Sequence, residues 1–450
     1  MSDWFLDLFT AEAEKLISKP LQAAHGLQGV DTSWWVGGLP EPAEEDVVVG
    51  AVDGGGGIQP LAGGGALYIA RAFGVTGPVQ EEPERGLELR LYPVRDSRIL
   101  DALRSWVEHR VASSLAMRLR RIGGSGSILL MDGSYRALVS AALVSIAKAS
   151  RGRLESLSHA YLALLSLELI VSVKELFTQA SRAGILLAYV SKDHSYSFLK
   201  EYVLLSHVAS KAPETMKRIN DSLQWYPLKS RHELLELSRS LDEELRQALL
   251  AALDQSYRDT AFIWDMVGGE PGYTHLLTIP PSHRLHSFYT SRGGVRRVVE
   301  TLCSSIERIL PGEEAEACWG DVDRAVEAID SLPGVGAMYV RLQAMEQPLL
   351  VETPAGHGFW APGRRMLLPD VEAEKLIAVL YRDYGGEDYY NIYLVAAHVN
   401  ATLTGRQMEA YMRLLDVLAS AHGVRLMLAR RSTMYRGLRG RRRRRIPGAR

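Results

Sequence analysis

The chain has 450 residues, 47% of them hydrophobic and 23% charged, with a formal net charge of −1. That is ample apolar material for a large core and for more than one folding unit. No run approaches the roughly 18 to 20 uncharged apolar residues that span a bilayer, the opening stretch Met1 to Phe9 carries acids and lacks a basic start, and Cys303 and Cys318 are the only cysteines. These features argue against a membrane-spanning protein, a secretory leader, a disulfide framework and a thiolate zinc site.

The expectation is therefore a soluble, cytoplasmic protein. Asparagine occurs only at Asn220, Asn391 and Asn400, and scarce Asn and Cys beside abundant Arg and Glu fit a thermophile. The small net charge hides an asymmetry. Residues 421–450 hold eleven Arg, no Lys and no acid, so removing them takes the charge from −1 to −12. A basic tail on an acidic body reads as contact with nucleic acid or another polyanion, or as a solvated terminus that neutralises the body.

A helical segment is expected over 1–45. The apolar run Val47 to Val52 follows and ends in Asp53 and four glycines. Gly63 to Phe73 reads as a second strand, joined to the first as an antiparallel hairpin. Leu87 to Tyr92 alternates apolar and polar residues, as a half-exposed third strand does. A helix is predicted from about Ser97 to Arg121, with Leu100, Leu103, Val107, Val111 and Leu115 at helical spacing and Gly123-Gly-Ser-Gly as its stop. The strand Ser127 to Met131 then delivers Asp132-Gly133-Ser134. Residues 136–182 read as helical with a break at Arg151-Gly152, and Ile185 to Val190 as a fifth strand ending in Ser191-Lys192-Asp193.

Residues 195–335 read as a helical insertion or arm, with heptad-like apolar positions up to about 255 that fit a dimer surface. Strand character returns at Gly336 to Leu342, Leu349 to Pro354 and Tyr390 to His398. A final helix is predicted from Gly405 to Ala421.

The order β-β-β-α-β-α-β is that of the ribonuclease H-like fold, an α/β class with a mixed sheet in which the first and fourth strands are adjacent. On that resemblance Asp53 and Asp132 emerge side by side. The expected organisation is an N-terminal segment (1–45), a ribonuclease H-like core (46–194), a helical insertion (195–335), a C-terminal strand-helix extension completing the core (336–425) and the basic tail (426–450).

A carboxylate at the tip of a buried strand is costly unless it binds something. Two such tips point to a shared metal site, although Asp-Gly pairs also serve as tight turns. Hard divalent cations need a further oxygen donor. Glu108 borders the apolar stripe of the intervening helix and is the candidate, unless it is a solvated surface acid. Asp101 competes with it but sits near the helix start, where an acid favours the helix dipole. Two ions roughly 3.5 to 4 Å apart clamp the attacking and leaving oxygens of a phosphodiester.

With these motifs the chain resembles the NurA family of DNA-end-processing nucleases. The residues that carry the resemblance are Val52-Asp53-Gly54, the helix with Glu108, Leu130 to Ser134, Val190 to Asp193, Tyr339 to Leu342 and Tyr390 to His398. It implies manganese- or magnesium-dependent hydrolysis with Asp53, Glu108 and Asp132 as metal ligands. Tyr390 and His398 would complete the site, His398 as a fourth ligand. Four glycines follow Asp53 where the family commonly has a small hydroxyl residue.

His398 can coordinate a metal, pass a proton or fill the core. Tyr390 can position a phosphate, stack on a base or pack. Lys192 can neutralise the scissile phosphate, and Asp193 can pair with it or reach the metals. The resemblance further implies 5′-to-3′ exonuclease and single-strand endonuclease activity on single-stranded DNA and duplex ends in double-strand break repair. It also implies a homodimer and a HerA-type hexameric ATPase partner. The chain lacks a Gly-x-x-x-x-Gly-Lys-Ser/Thr loop of its own.

Two other readings compete. An actin- or sugar-kinase-like nucleotide-binding protein shares the element order, but no second Asp-Gly strand end appears in the C-terminal half. A non-catalytic DNA-binding adaptor would use the Arg tail and leaves the strand-end aspartates unexplained.

Overall fold

The computed structural model describes Leu6, Phe9, Thr10, Ala13, Leu27 and residues 29–423, apart from 80, 152–155, 193, 311, 368 and 369. The basic tail, Asp193 and most of the N-terminal segment lie outside the described residues. The chain divides into two compact units, Val36–His194 with Pro271–Arg450, and Met1–Trp35 with Ser195–Glu270.

The larger unit is α/β and holds a large mixed sheet. After the short strand Trp35–Gly37, which departs from the helical reading of 1–45, come β1 (Val49–Pro60), β2 (Ala66–Gly77) and β3 (Glu84–Tyr92), followed by α1 (Ser97–Gly123), β4 (Ile128–Asp132), α2 (Tyr135–Ala149), α3 (Leu157–Ala183) and β5 (Leu186–Ser191). The chain re-enters this unit at β6 (Gly272–Thr274) and β7 (Leu276–Ile279). It continues through α4 (His283–Ser291), α5 (Val295–Glu307), α6 (Glu313–Gly320), α7 (Val322–Asp330), β8 (Pro333–Arg341), β9 (Leu349–Gly358) and β10 (Met366–Leu367). It closes with α8 (Val371–Arg382), α9 (Ile392–Ala401) and α10 (Gly405–Ala421).

In space the main strands run β6-β8-β9-β5-β4-β1-β2-β3. The expected hairpin is present, β2 lying antiparallel to both β1 and β3. The expected adjacency of the first and fourth strands is present too: β1 is parallel to β4, from Val49 opposite Ile128 to Val52 opposite Met131. β5 continues the parallel set, and β9 reverses it. β1 and β4 read as continuous apolar runs because both sheet faces are covered. One face packs Ala51, Leu130, Val190 and Val351 against Leu376, Leu380 and Leu394 of α8 and α9.

Three further expectations need correction. Tyr390 to His398 is not a strand. Tyr390 precedes helix α9, whose first turn is capped by Asn391 accepting from Tyr393 N and Leu394 N at 3.1 and 3.0 Å. Its buried positions Leu394, Ala397 and Ala401 keep helical spacing. The 195–335 stretch is not uniformly helical, because β6 and β7 lie within it and pair antiparallel with β8. Cys303 and Cys318 form a disulfide between α5 and α6, with their Cα atoms 5.5 Å apart. Two cysteines make no framework, but the short α5–α6 hairpin brings this one pair within bridging distance.

The alternation read in β3 is present with its faces reversed. Leu87, Leu89 and Leu91 point outward and are about half exposed. Glu88 and Arg90 point inward, where Arg90 pairs with Glu88 at 2.8 Å and Glu168 of α3 at 2.9 Å and lies 5.3 Å from the Trp106 ring.

The smaller unit is helical, with helices Phe198–Lys211, Met216–Leu223, Arg231–Leu237, Glu243–Leu253 and Asp259–Val267. Buried Asp259 caps the first of these from a distance, accepting from Leu199 N at 3.2 Å and Lys200 N at 2.8 Å. Among the described residues no helix is long and apolar enough to cross a membrane.

Candidate active site

β4 ends at Asp132, but Asp53 is not at a strand tip as expected: β1 runs on through its glycines to Pro60, paired with β2, and only its pairing with β4 stops here. One step beyond the Val52–Met131 pair, the register sets Asp53 beside Asp132. Asp53 is buried and Asp132 half-buried. Burial pushes the Asp132 carboxyl above the usual carboxylate range, and the neighbouring Asp53 charge adds to the shift. Tyr390, His398 and Lys192 oppose it.

Glu108 comes from α1, which crosses the opposite sheet face. It is buried, whereas Asp101 on the same helix is exposed. Arg104 Nε lies 3.3 Å from Glu108 Oε1. Burial pushes the Glu108 carboxyl from 4.5 to about 8; Arg104 opposes this, and Asp53 and Asp132 contribute to it. The three carboxylates thus feel one another from two sides of the sheet.

The glycines after Asp53 make this convergence possible. A Cβ on Gly54 would overlap the Glu108 side chain, and one on Gly55 would overlap the Ala401 carbonyl at the end of α9. Gly54 admits Glu108 from one face, and Gly55 admits α9 from the other.

α9 and the turn before it bring two side chains onto the aspartates. Tyr390 Oη donates to Asp132 Oδ1 at 2.6 Å. His398 Nδ1 lies 2.6 Å from Asp53 Oδ2, while most of its ring is exposed. A carboxylate only accepts, so Nδ1 carries the proton, and Nε2 is directed away from Asp53. Arg71 of β2 fastens the end of α9. Its Nε donates to Ala401 O at 2.6 Å, and its guanidinium also bonds Thr402 O and the Tyr411 hydroxyl. Lys192 is exposed at the end of β5, its Nζ 5.6 Å from the centre of the Tyr390 ring.

Several residues that hold the site were not singled out in the sequence. Glu352 of β9 is fully buried and accepts from Ser134 Oγ at 2.9 Å and Arg136 N at 3.1 Å, which anchors the turn after Asp132. Burial raises its carboxyl. Its signal was the one that flagged Asp53, an acid in an apolar strand. His109, next to Glu108, is also buried. Its Nδ1 donates to Ser105 O at 2.6 Å, so Nε2 accepts from Tyr189 Oη at 2.9 Å. Burial lowers its pKa to about 4 and keeps it neutral.

The structure therefore brings Asp53, Asp132, Tyr390 and His398 into direct contact as two pairs, with Glu108 behind them and Lys192 against Tyr390. Among the described residues no three His, Cys, Asp or Glu side chains are drawn close enough together to hold an ion.

Comparison with solved structures finds the NurA nuclease from Sulfolobus solfataricus, at 12% identity and a TM-score of 0.46, over 93% of this chain and 95% of that one. The chain resembles NurA. A NurA structure with manganese matches at 13% identity and a TM-score of 0.37, over 93% and 98% of the two chains. NurA bound to dAMP and manganese matches at 14% and 0.36, over 90% and 94%. The sequence matches no protein-family model and no curated protein.

Proposed function

We propose that the protein is a metal-dependent DNA nuclease built on a ribonuclease H-like core. The observation that carries this reading is the pairing of two carboxylates on the central strands β1 and β4. The two stand on adjacent parallel strands where their pairing stops, Asp132 at the end of β4 and Asp53 within β1, and each is gripped by a different side chain of 390–398. The strand order β3-β2-β1-β4-β5 supports the fold assignment.

The donor chemistry fits a hard divalent cation, manganese or magnesium. Asp53, Glu108 and Asp132 supply oxygen donors, and the raised carboxyls of Glu108 and Asp132 mark a place where negative charge is unfavourable without a cation. As placed these three do not stand close enough together to hold an ion; drawn in by the cations, they would hold two. Bound ions would supply charge stabilisation and a more acidic water.

The remaining groups have roles of their own. Tyr390 fixes the rotamer of Asp132. Lys192 places a positive charge beside the Tyr390 ring, where it would meet a scissile phosphate. His398, held by Asp53 at Nδ1, offers Nε2 to take a proton from the attacking water or return it to the leaving oxygen.

The finer reading is a 5′-to-3′ exonuclease and single-strand endonuclease acting on DNA ends in double-strand break repair, as a homodimer served by a HerA-type hexameric ATPase. The outward Leu87, Leu89 and Leu91 support a dimer. They share a sheet face with Leu67 and Ile69, which pack on α10, and α10 itself exposes Leu414, Val417 and Leu418. The eleven Arg beyond 420 suit a polyanion.

The test is digestion of end-labelled single- and double-stranded DNA with manganese, with magnesium and with a chelator. Cleavage that needs the metal supports the reading. ATP hydrolysis without DNA cleavage would favour a kinase-like protein instead.

A further inference from the structure

An open cavity of about 850 Å³ lies in the larger unit, away from the carboxylates. Its lining includes Arg98, Lys148, Arg151, His159 and Arg292, and among the described residues no carboxylate. This concentration of positive charge stands on a body whose net charge without the Arg-rich tail is −12.

Arg98 and His159 are not explained by helix stability. Arg98 and His159 sit in the first turns of α1 and α3, neither of which carries an acid there. That end of a helix disfavours a cation and favours an anion. Arg98 is partly balanced by Asp96, which caps α1 and pairs with it at 2.6 Å. Arg151 and Arg292 are gathered onto one ring, their guanidinium carbons 5.0 and 5.6 Å from the centre of Phe288. An aromatic ring steadies two guanidiniums but does not neutralise them. Lys148, in the last turn of α2, adds a further charge. The cavity is thus preorganised for an anion with several negative groups.

Arg98 and Glu108 are ten positions apart on α1, which places the cavity about 15 Å along the helix axis from the carboxylates. That span is covered by a few nucleotides of an extended strand.

We propose that this cavity is a phosphate-binding site that holds the backbone of a nucleic-acid strand at a distance from the proposed cleavage centre. The same chemistry would accept a free mononucleotide, and the experiment separates the two. A fluorescein-labelled single-stranded oligodeoxynucleotide is titrated with the full-length protein in chelator over a range of salt concentrations. Wild type is compared with Arg151→Ala/Arg292→Ala and with Lys148→Met. The Arg-rich tail contributes equally to every variant, so differences in salt slope isolate the cavity.

The double variant should bind more weakly, with the slope of log K against log salt reduced by about 1.4; Lys148→Met should lose about 0.7. These side chains are exposed, so folding is expected to survive, and Lys148→Met keeps the test valid if the double variant does not fold. Unchanged affinity and slope in the variants would overturn the proposal. So would thymidine monophosphate binding as tightly as the oligonucleotide and losing affinity in the double variant while the oligonucleotide does not. Metal-free binding is independent of hydrolysis, so failure of the nuclease reading would appear separately, as binding without cleavage.

Discussion

His398 Nδ1 lies 2.6 Å from Asp53 Oδ2, joining the start of the sheet to a helix 345 residues away. The contact fixes the imidazole with Nε2 directed away from Asp53, and Arg71 holds the helix that carries it. His398→Ala should therefore lower single-turnover DNA cleavage by about 10²- to 10⁴-fold, the range for a positioned acid or base. The ring is mostly exposed, so the melting temperature should barely move. A large loss of stability with rate retained would mean the contact is structural.

The Glu108 carboxyl gives the metal-free protein a defined pH dependence. Its folded pKa is raised from 4.5 to about 8. The folded state then holds a proton that the unfolded chain releases. The stabilisation is complete below about 4.5 and is lost as pH rises through about 8. Glu108→Gln removes this slope and should leave the metal-free protein more stable than wild type above about 8, by at least about 1 kcal/mol. Denaturant midpoints across that window measure it, and parallel curves for the two proteins would contradict it.

Gly55 tests the approach of α9. Gly55→Ala places a methyl group against the Ala401 carbonyl. It should cost about 1 to 3 kcal/mol and reduce cleavage, because His398 is displaced with the helix. Gly63, where nothing lies within 4 Å, is the control, and Gly63→Ala should be silent in both measurements.

How far the sequence reveals this site depends on the range of the interaction. Asp53 and Asp132 were legible because each ends an apolar run and precedes glycine, which is local information. The resemblance of the element order to the ribonuclease H-like fold then made β1 and β4 neighbours. His398 was legible as a residue but not as part of a helix. Ile392, Tyr393 and Val395 look strand-like, and the spacing of Leu394, Ala397 and Ala401 is short enough to escape notice. Glu352 escaped because its partners, Ser134 and Arg136, are more than 200 positions away. In β3 the alternation was readable but its direction was not, since the charged face is buried only through Glu168 and Trp106.

The outward leucines of β3 give a prediction about assembly. Leu89→Arg should shift the protein from dimer to monomer in light scattering while leaving its circular dichroism unchanged, because the side chain is about half exposed. A dimer that persists in this variant would place the interface elsewhere.

The central claim is that Asp53 and Asp132 form one hydrolytic centre. Single-turnover cleavage of end-labelled single-stranded DNA in manganese, comparing wild type with Asp53→Ala and Asp132→Ala, tests it most directly. The account predicts metal-dependent cleavage by wild type and a loss of at least about 10³-fold in each variant, with folding and metal-free DNA binding retained. Robust cleavage surviving either substitution would contradict it.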